Sequence, residues 1–413
     1  MLQGHRTWVF ENKPVIISTG VVGGPFEAKG NIPEDFDILH EDLWLGQDSY
    51  EKAHKILFEE ACSRATEKAE LRKDDIQFVL AGDLINQITP TSFACRTLGT
   101  PYLGLFGACS TSMEGLALGA SIVNAKGAKY LLTGASSHNT AVEKQFRYPT
   151  EYGGQKPPTA QWTVTGAGAA ILSDTGHGPR VTSATIGRVV DMGLTDPFNM
   201  GGAMAPAAVD TIEAHLRERQ IDASYYDLIV TGDLGHVGRE IAYDLLHKHG
   251  TKVTSEQFQD CGLLIYREGQ PVIAGASGPG CSATVVYGHL LNRMKRGEFK
   301  KILVVATGAL LSPLTFQQEE TIPCIAHAVS IEFGGATPTV PFHISVSNID
   351  AIFVEDIGGK ESTKEPDHPI EDFYGCEIKQ DDKYFMFGQD AVLEGNLTNY
   401  LIAEQSVECF RAV

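Results

Sequence analysis

A chain of 413 residues with 43% hydrophobic content is long enough for two or three domain-sized units and for a large buried core. Its formal net charge of −19 argues against a nucleic-acid groove and for a soluble protein with no nucleic-acid partner. No apolar run reaches the roughly 20 residues that cross a bilayer. Met1–Trp8 lacks the charged-then-apolar order of a secretion signal, and the eight cysteines, scattered without CxxC or CxxH spacing, suit reduced thiols in place of a disulfide frame or metal cage.

In chain order, Val15-Ile16-Ile17-Ser18-Thr19-Gly20-Val21-Val22-Gly23-Gly24 reads as a strand running into a glycine turn, without the Lys-Ser/Thr ending of a phosphate loop. The acidic and aromatic run Asp35–His40 reads as a surface excursion. Ser49 to Lys68 has the pattern of an amphipathic helix packed on the body. Phe78–Leu84 is an apolar run that ends in Gly-Asp-Leu, and Pro101–Phe106 reads as a short buried strand.

Next comes Gly107-Ala108-Cys109-Ser110-Thr111-Ser112, between that strand and a small-residue helix over Thr111–Asn124. A cysteine at a strand-to-helix turn meets free backbone N–H groups and the positive end of the helix dipole, which lower a thiol from about 8.5 toward neutrality. Two readings stand: Cys109 as a functional thiolate, or as a small apolar residue that packs the turn. Ala128–Ala135 follows as a buried strand, with His138 just after it, either entering a site or serving as a structural group. A Gly/Pro-rich insertion from Thr150 to Ala160 reads as a loop over a pocket, and Gly168–Leu172 closes the half.

The same order then returns. Leu228–Leu234 is an apolar run that again ends in Gly-Asp-Leu; a turn, Ala276-Ser277-Gly278-Pro279-Gly280-Cys281, leads to a helix near Ser282–Lys295; Lys301–Ala309 and Ala328–Ile331 are apolar strands. Near-continuous apolar strands alternating with helices indicate sheets covered on both faces, so the expected fold is α/β, in two duplicated halves, 1–175 and 176–333, with ligands gathering at their junction. Asp83 and Asp233, the acids of the two Gly-Asp-Leu runs, either cap a following helix or line the Cys109 pocket.

The duplicated halves, the Gly-Ala-Cys-Ser-Thr-Ser turn and Val164-Thr165-Gly166-Ala167-Gly168-Ala169-Ala170 resemble the thiolase and ketoacyl-synthase superfamily. Ala81–Pro90 and Asp191–Pro197 narrow this to a resemblance to the stage V sporulation protein AD family, over nearly all of residues 1–333. That resemblance implies a thiolase-like fold and a homodimer. It also implies a role in the spore: binding dipicolinic acid, as its calcium chelate, within the inner-membrane apparatus that loads it during sporulation and releases it in germination. No cofactor is implied, calcium enters only as part of the ligand, and membrane association runs through other proteins of the apparatus. A flat dicarboxylate needs a ring wall and cationic or N–H donors. Tyr148 or Trp162 would stack on the ring and Arg147 would meet a carboxylate, with Asp83, Asp233, Thr165, His138 and Cys109 completing the candidate ligand set. The plainer alternative makes Trp162 a core aromatic and Arg147 a surface charge. If the chain is instead an acyltransferase, the superfamily pattern points to Cys109 as nucleophile and His236 as its partner. The turn that would supply a second partner reads Gly278-Pro279-Gly280, which has no side-chain donor, so binding is favoured over catalysis.

Beyond Phe333 the composition shifts: 334–365 reads as a linker, and the stretch past Phe333 as a whole carries about half of the chain's net negative charge. Residues 366–413 read as a small appended module, with a hairpin at Tyr384–Phe387 and Ala391–Leu393 and a short helix at Leu397–Glu404. Part of it loosely resembles a YqaI-like phage-associated family, with no chemistry to transfer.

Overall fold

The computed structural model describes residues 1–146 and 156–334, together with the backbone of Tyr384–Phe387 and Asp390–Leu393. Two compact units are present, Met1–Gly335 and Ala336–Val413.

The first unit is one topology written twice. The first copy runs β1 (Val15–Gly23), α1 (Tyr50–Lys68), β2 (Phe78–Gly82), α2 (Thr89–Leu98), β3 (Tyr102–Gly104), α3 (Thr111–Asn124), β4 (Tyr130–Ser137) and β5 (Gly166–Ser173). The second runs β6 (Arg180–Thr185), α4 (Met200–Arg219), β7 (Leu228–Thr231), α5 (Gly235–Lys248), β8 (Phe258–Asp260), α6, β9 (Lys301–Ala309) and β10 (Cys324–Glu332). Helix α6 is three pieces end to end: Pro279–Thr284, a π turn over Val285–Leu290, and Leu291–Lys295. Strand order is β1-β5-β4-β2-β3 in one copy and β6-β10-β9-β7-β8 in the other. In each, the first three strands pair antiparallel and the last three parallel. The copies meet edge to edge through the single pair Arg180↔Val15.

Three hydrophobic clusters show how the layers stack. Leu57, Phe58, Ala61 and Cys62 of α1 cover one face of the first sheet through Val79, Leu132 and Ile171. Ala208, Ile212 and Leu246 of α4 and α5 cover the second through Ile229, Leu303 and Val305. The largest cluster joins both copies: Met113 and Leu116 of α3 pack with Tyr287, Leu290 and Leu291 of α6 between Leu131 and Leu172 on one side and Ile302 and Val329 on the other. The arrangement is thus helix, sheet, helix pair, sheet, helix. Strands buried on both faces read as continuous apolar runs, which is why they are visible in the sequence. In the middle layer the Ser112 and Ser282 hydroxyls lie 2.6 Å apart and Tyr287 Oη donates to Ser112 O at 3.2 Å. Gly168 of β5 admits α6 this closely, since a Cβ there would lie 2.5 Å from Ala283 O.

Two sequence expectations change. The β3 segment is not a buried strand: it is the outer edge of its sheet, with Leu103 50% exposed and Phe106 just beyond it 57% exposed. Asp35–His40 is not a surface excursion throughout. Asp35 is buried, accepting hydrogen bonds from Asn292 Nδ2 at 2.8 Å and facing His289 Nδ1 at 2.7 Å, so it ties the loop to α6. Helix α1 begins one residue after the expected Ser49, whose hydroxyl accepts from Lys52 N as the N-cap.

In the second unit, Tyr384–Phe387 and Asp390–Leu393 pair antiparallel, Tyr384 opposite Leu393. The linker residues from 335 and the expected helix at Leu397–Glu404 lie outside the described residues.

Candidate functional site

The turn after β3 is held in an uncommon conformation. Ala108 has φ +53°, a left-handed value that costs a non-glycine residue about 1–2 kcal/mol. Thr111 Oγ1 donates to Ala108 O at 2.7 Å and accepts from Gly107 N at 3.2 Å, while Ser110 Oγ donates to Gly107 O at 2.6 Å. These bonds aim Cys109, 8% exposed, at the opposite half.

What Cys109 meets there is Asp233. The thiol faces the Asp233 carboxyl, with Gly278 N–H and the Ser277 hydroxyl beside it. Asp233 Oδ2 also accepts from Gly278 N at 3.0 Å, and its Oδ1 accepts from Thr307 Oγ1 at 2.7 Å. Gly278 has φ +99°, and a Cβ there would press on Ser137 Oγ at 2.8 Å, so only glycine offers its N–H in this position.

The electrostatics reverse the expectation of an activated thiolate. Burial, and next the Asp233 carboxylate, push the Cys109 thiol well above its ordinary range. A helix N-terminus contributes typically 0.3–1 kcal/mol at an exposed site, whereas desolvation of a fully buried group moves a pKa by several units at about 1.4 kcal/mol each. Burial wins, and Cys109 is a neutral thiol. Asp233 is itself pushed up to about 6 by burial, against the lowering effect of its hydrogen bonds to Cys109, Thr307 and Gly278.

The two Gly-Asp-Leu acids have diverged. Asp83 Oδ1 accepts from Ile85 N at 2.7 Å, and Oδ2 accepts from Thr91 N at 2.9 Å and Thr91 Oγ1 at 2.5 Å, which caps the start of α2. Burial raises it to about 6. The corresponding task in the second half falls to Asp260, unremarked in the sequence: its carboxylate accepts from Leu234 N at 2.8 Å, Gly235 N at 3.0 Å and Thr231 Oγ1 at 2.7 Å, at the start of α5. With that cap supplied from β8, Asp233 is free to turn toward Cys109.

His236 is not brought to the thiol. It lies on the first turn of α5, exposed, with its backbone N–H donating to Ala274 O at 2.8 Å. His138 is buried beside Tyr50, with Nε2 2.8 Å from Leu43 O and Nδ1 accepting from Ala141 N at 3.4 Å, and burial pushes it down to about 4. It is a neutral group that fastens the Leu43 loop.

Trp162 and Thr165 occupy a second cluster. Trp162 stacks on Phe26 with ring centroids 4.7 Å apart, and Lys156 Nζ lies 5.3 Å from its ring centre. Thr165 donates its N–H to Glu27 Oε1 at 3.0 Å and accepts from Asn139 N at 3.0 Å through its hydroxyl. Glu27, missed in the sequence, also accepts from Tyr266 Oη across the two halves, and burial lifts it to about 7. This cluster adjoins the first, because Trp162 and Thr163 pair with Ala276 and Ser277, just before Gly278. Arg147, Tyr148 and the insertion up to residue 155 lie outside the described residues.

Solved structures share this fold. Human mitochondrial 3-ketoacyl-CoA thiolase aligns with a TM-score of 0.51 over 78% of this chain and 100% of its own, at 12% identity. The 3-oxoacyl-(acyl carrier protein) synthase III of Xanthomonas oryzae pv. oryzae aligns with a TM-score of 0.51 over 79% of this chain and 100% of its own, at 13% identity. The fold is therefore thiolase-like. The tail matches, over residues 353–409, a family described as hypothetical protein Yqai. Over 334 residues the chain is 49% identical to stage V sporulation protein AD of Bacillus subtilis (strain 168), covering 81% of this chain and 98% of that protein. Residues 4–332 match the family model for stage V sporulation protein AD, and the chain belongs to that sporulation protein family.

Proposed function

We propose that this chain binds dipicolinic acid as a subunit of the spore inner-membrane apparatus that moves this dicarboxylate into the forespore in sporulation and out in germination. The observation that carries binding over acyl transfer is the pairing of Cys109 with a buried carboxyl. An acyl-transfer cysteine needs a base and donors for the developing oxyanion. Here burial, and next a group of the wrong charge, hold the thiol protonated, and Gly278-Pro279-Gly280 adds no side-chain donor. Backbone N–H groups, hydroxyls and a thiol can orient a carboxylate without reacting with it.

Calcium, in this reading, enters with the ligand as its chelate. Attachment to the membrane is assigned to partner proteins. No helix among the described residues is long and apolar enough to cross a bilayer, and a chain of net charge −19 gains nothing from anionic headgroups.

A homodimer through the β3 edge completes the reading, and the duplication supplies its support. The equivalent edge strand β8 is closed by its own chain: Phe258 is 0% exposed and its carbonyl accepts from Arg239 Nε at 3.0 Å and Nη2 at 2.7 Å. Among the described residues the β3 edge has no such cover, and Leu103, Phe106 and Phe93 are exposed. Bare apolar edges are ordinarily protected, and a second copy protects this one symmetrically.

Incubation with acyl-coenzyme A followed by intact mass measurement separates the two chemistries. The proposal requires no adduct on Cys109 while dipicolinate binds saturably; a stable acyl adduct on Cys109 would return the chain to the transferases.

A further inference from the structure

Outside the Cys109 cluster, the N-terminal strand and α4 build a second concave place. Strand Thr7–Val9 pairs antiparallel with β6, Thr7 opposite Thr185, and this register carries Arg6 to Ile186, whose N–H donates to the Arg6 carbonyl at 3.0 Å. Asp210, Arg217 and Glu218 lie seven and eight residues apart on α4, about two helical turns, and so share one of its faces. Glu218 Oε2 accepts from Arg6 N at 3.0 Å and draws that face to the chain at Arg6. Between these pieces is a solvent-open cavity of about 470 Å³, lined by Arg6, Arg188, Asp210, Arg217 and Glu218, with His5 and Ile186.

Three arginines against two carboxylates leave its wall with one excess positive charge, in a chain whose net charge is −19. The Asp210 carboxylate is already spent: Oδ2 accepts from Arg6 Nη2 at 2.7 Å, and Oδ1 accepts from Arg188 Nε at 3.0 Å and Nη2 at 2.8 Å. The arginine donors are not. Arg6 Nη1 is buried without a hydrogen-bond partner. Arg188 engages Asp210 with one edge of its guanidinium only, and its side chain is 70% exposed. Among the described residues the Arg217 guanidinium has no hydrogen-bond or ion-pair partner, and it too is exposed.

A guanidinium presents paired N–H groups that match two oxygens of one phosphate, and several around one cavity hold such a group by charge and direction together. We propose that this cavity binds a phosphate group, with Arg188 and Arg217 as its donors and Arg6 held beside them by Asp210. Phosphate suits it better than an aromatic dicarboxylate, because Ile186 is the single apolar side chain among the residues lining it and gives a flat ring little wall. The site is separate from the dipicolinate reading and does not depend on it.

The test is calorimetric titration of inorganic phosphate into the full chain, in a phosphate-free buffer at neutral pH. A second arm sediments the chain with vesicles of phosphatidylglycerol or of phosphatidylcholine. Expected are one saturable phosphate site per chain, affinity about tenfold weaker in Arg217→Ala and in Arg188→Ala, and no change in Arg64→Ala, an exposed arginine paired with Glu67 elsewhere on the surface. Arg217 has no partner in the described fold, so the melting temperature of Arg217→Ala without phosphate is expected to match that of the unaltered chain. Retention on phosphatidylglycerol vesicles that is lost in Arg217→Ala would support the same site with a lipid headgroup as the source of the phosphate. Heats of dilution alone without such retention, or equal weakening in Arg64→Ala, would overturn the site. Dipicolinate binding is expected to be unaltered in Arg217→Ala; its loss there would give the cavity to the dicarboxylate and overturn the phosphate assignment.

Discussion

Cys109 and Asp233 meet across the junction of the two halves, the thiol of one turn facing the carboxyl of the other, 124 residues away in the chain. The contact sets a buried carboxyl against the thiol. Burial and then this contact raise the thiol pKa, and the proposed preference for binding over chemistry rests on both.

Removing the carboxylate should release the thiol. Asp233→Asn deletes the charge that disfavours the thiolate, so the Cys109 pKa falls. The rate of Cys109 alkylation by iodoacetamide at pH 8, read by peptide mass spectrometry, should rise about tenfold, one pKa unit. An unchanged rate would mean that burial alone sets the thiol.

Asp83 acts through α2. Asp83→Ala strips the cap from Ile85 N, Thr91 N and Thr91 Oγ1 and should destabilise the fold by about 1–2 kcal/mol, seen as a lower midpoint in denaturant. An unshifted midpoint would contradict the capping role.

Glu27 makes a pH-dependent contribution whose sign is fixed. Its folded pKa, about 7, exceeds its ordinary 4.5, so its contribution to stability is full below 4.5 and is lost as pH rises through 7. Glu27→Gln, which cannot ionise, should therefore gain on the unaltered chain in melting temperature from pH 5 to pH 8. A constant difference across that range would show that Glu27 titrates normally. Buried histidines pull the other way: His54, His138 and His327, held near 4, and His215, held near 3, remove stability as pH falls below 6.5. The comparison between the two chains cancels their effect.

The β3 edge gives a prediction about assembly. Leu103→Glu places a charge at a half-exposed edge position and should convert a dimer to a monomer in sedimentation without lowering the melting temperature of the monomer fold. A monomeric unaltered chain would refute the edge as a self-association surface.

Much of the architecture was legible because burial on both faces writes strands as unbroken apolar runs, and the twice-written Gly-Asp-Leu exposed the duplication. Cys109 stood out for the same local reason, a lone thiol between a strand and a small-residue helix. The partners of Cys109 were harder to read. A shared motif made Asp83 and Asp233 look alike, yet their tasks are separated by Asp260, which arrives from β8 and caps α5 in Asp233's place. His236 was suggested by the superfamily resemblance, but α5 begins at Gly235 and leaves the next side chain exposed. Glu27 and Tyr266 bond across 239 residues, a pairing that no local pattern records. Edge and centre strands also share composition, so the exposure of β3 became visible only with the strand order.

The account's central claim is tested most directly by calorimetric titration of dipicolinate into the intact chain, with and without calcium, beside a folded Cys109→Ala variant. It predicts one saturable site per chain, weakened when the thiol is removed. Heats of dilution alone from well-folded protein in both conditions would contradict it.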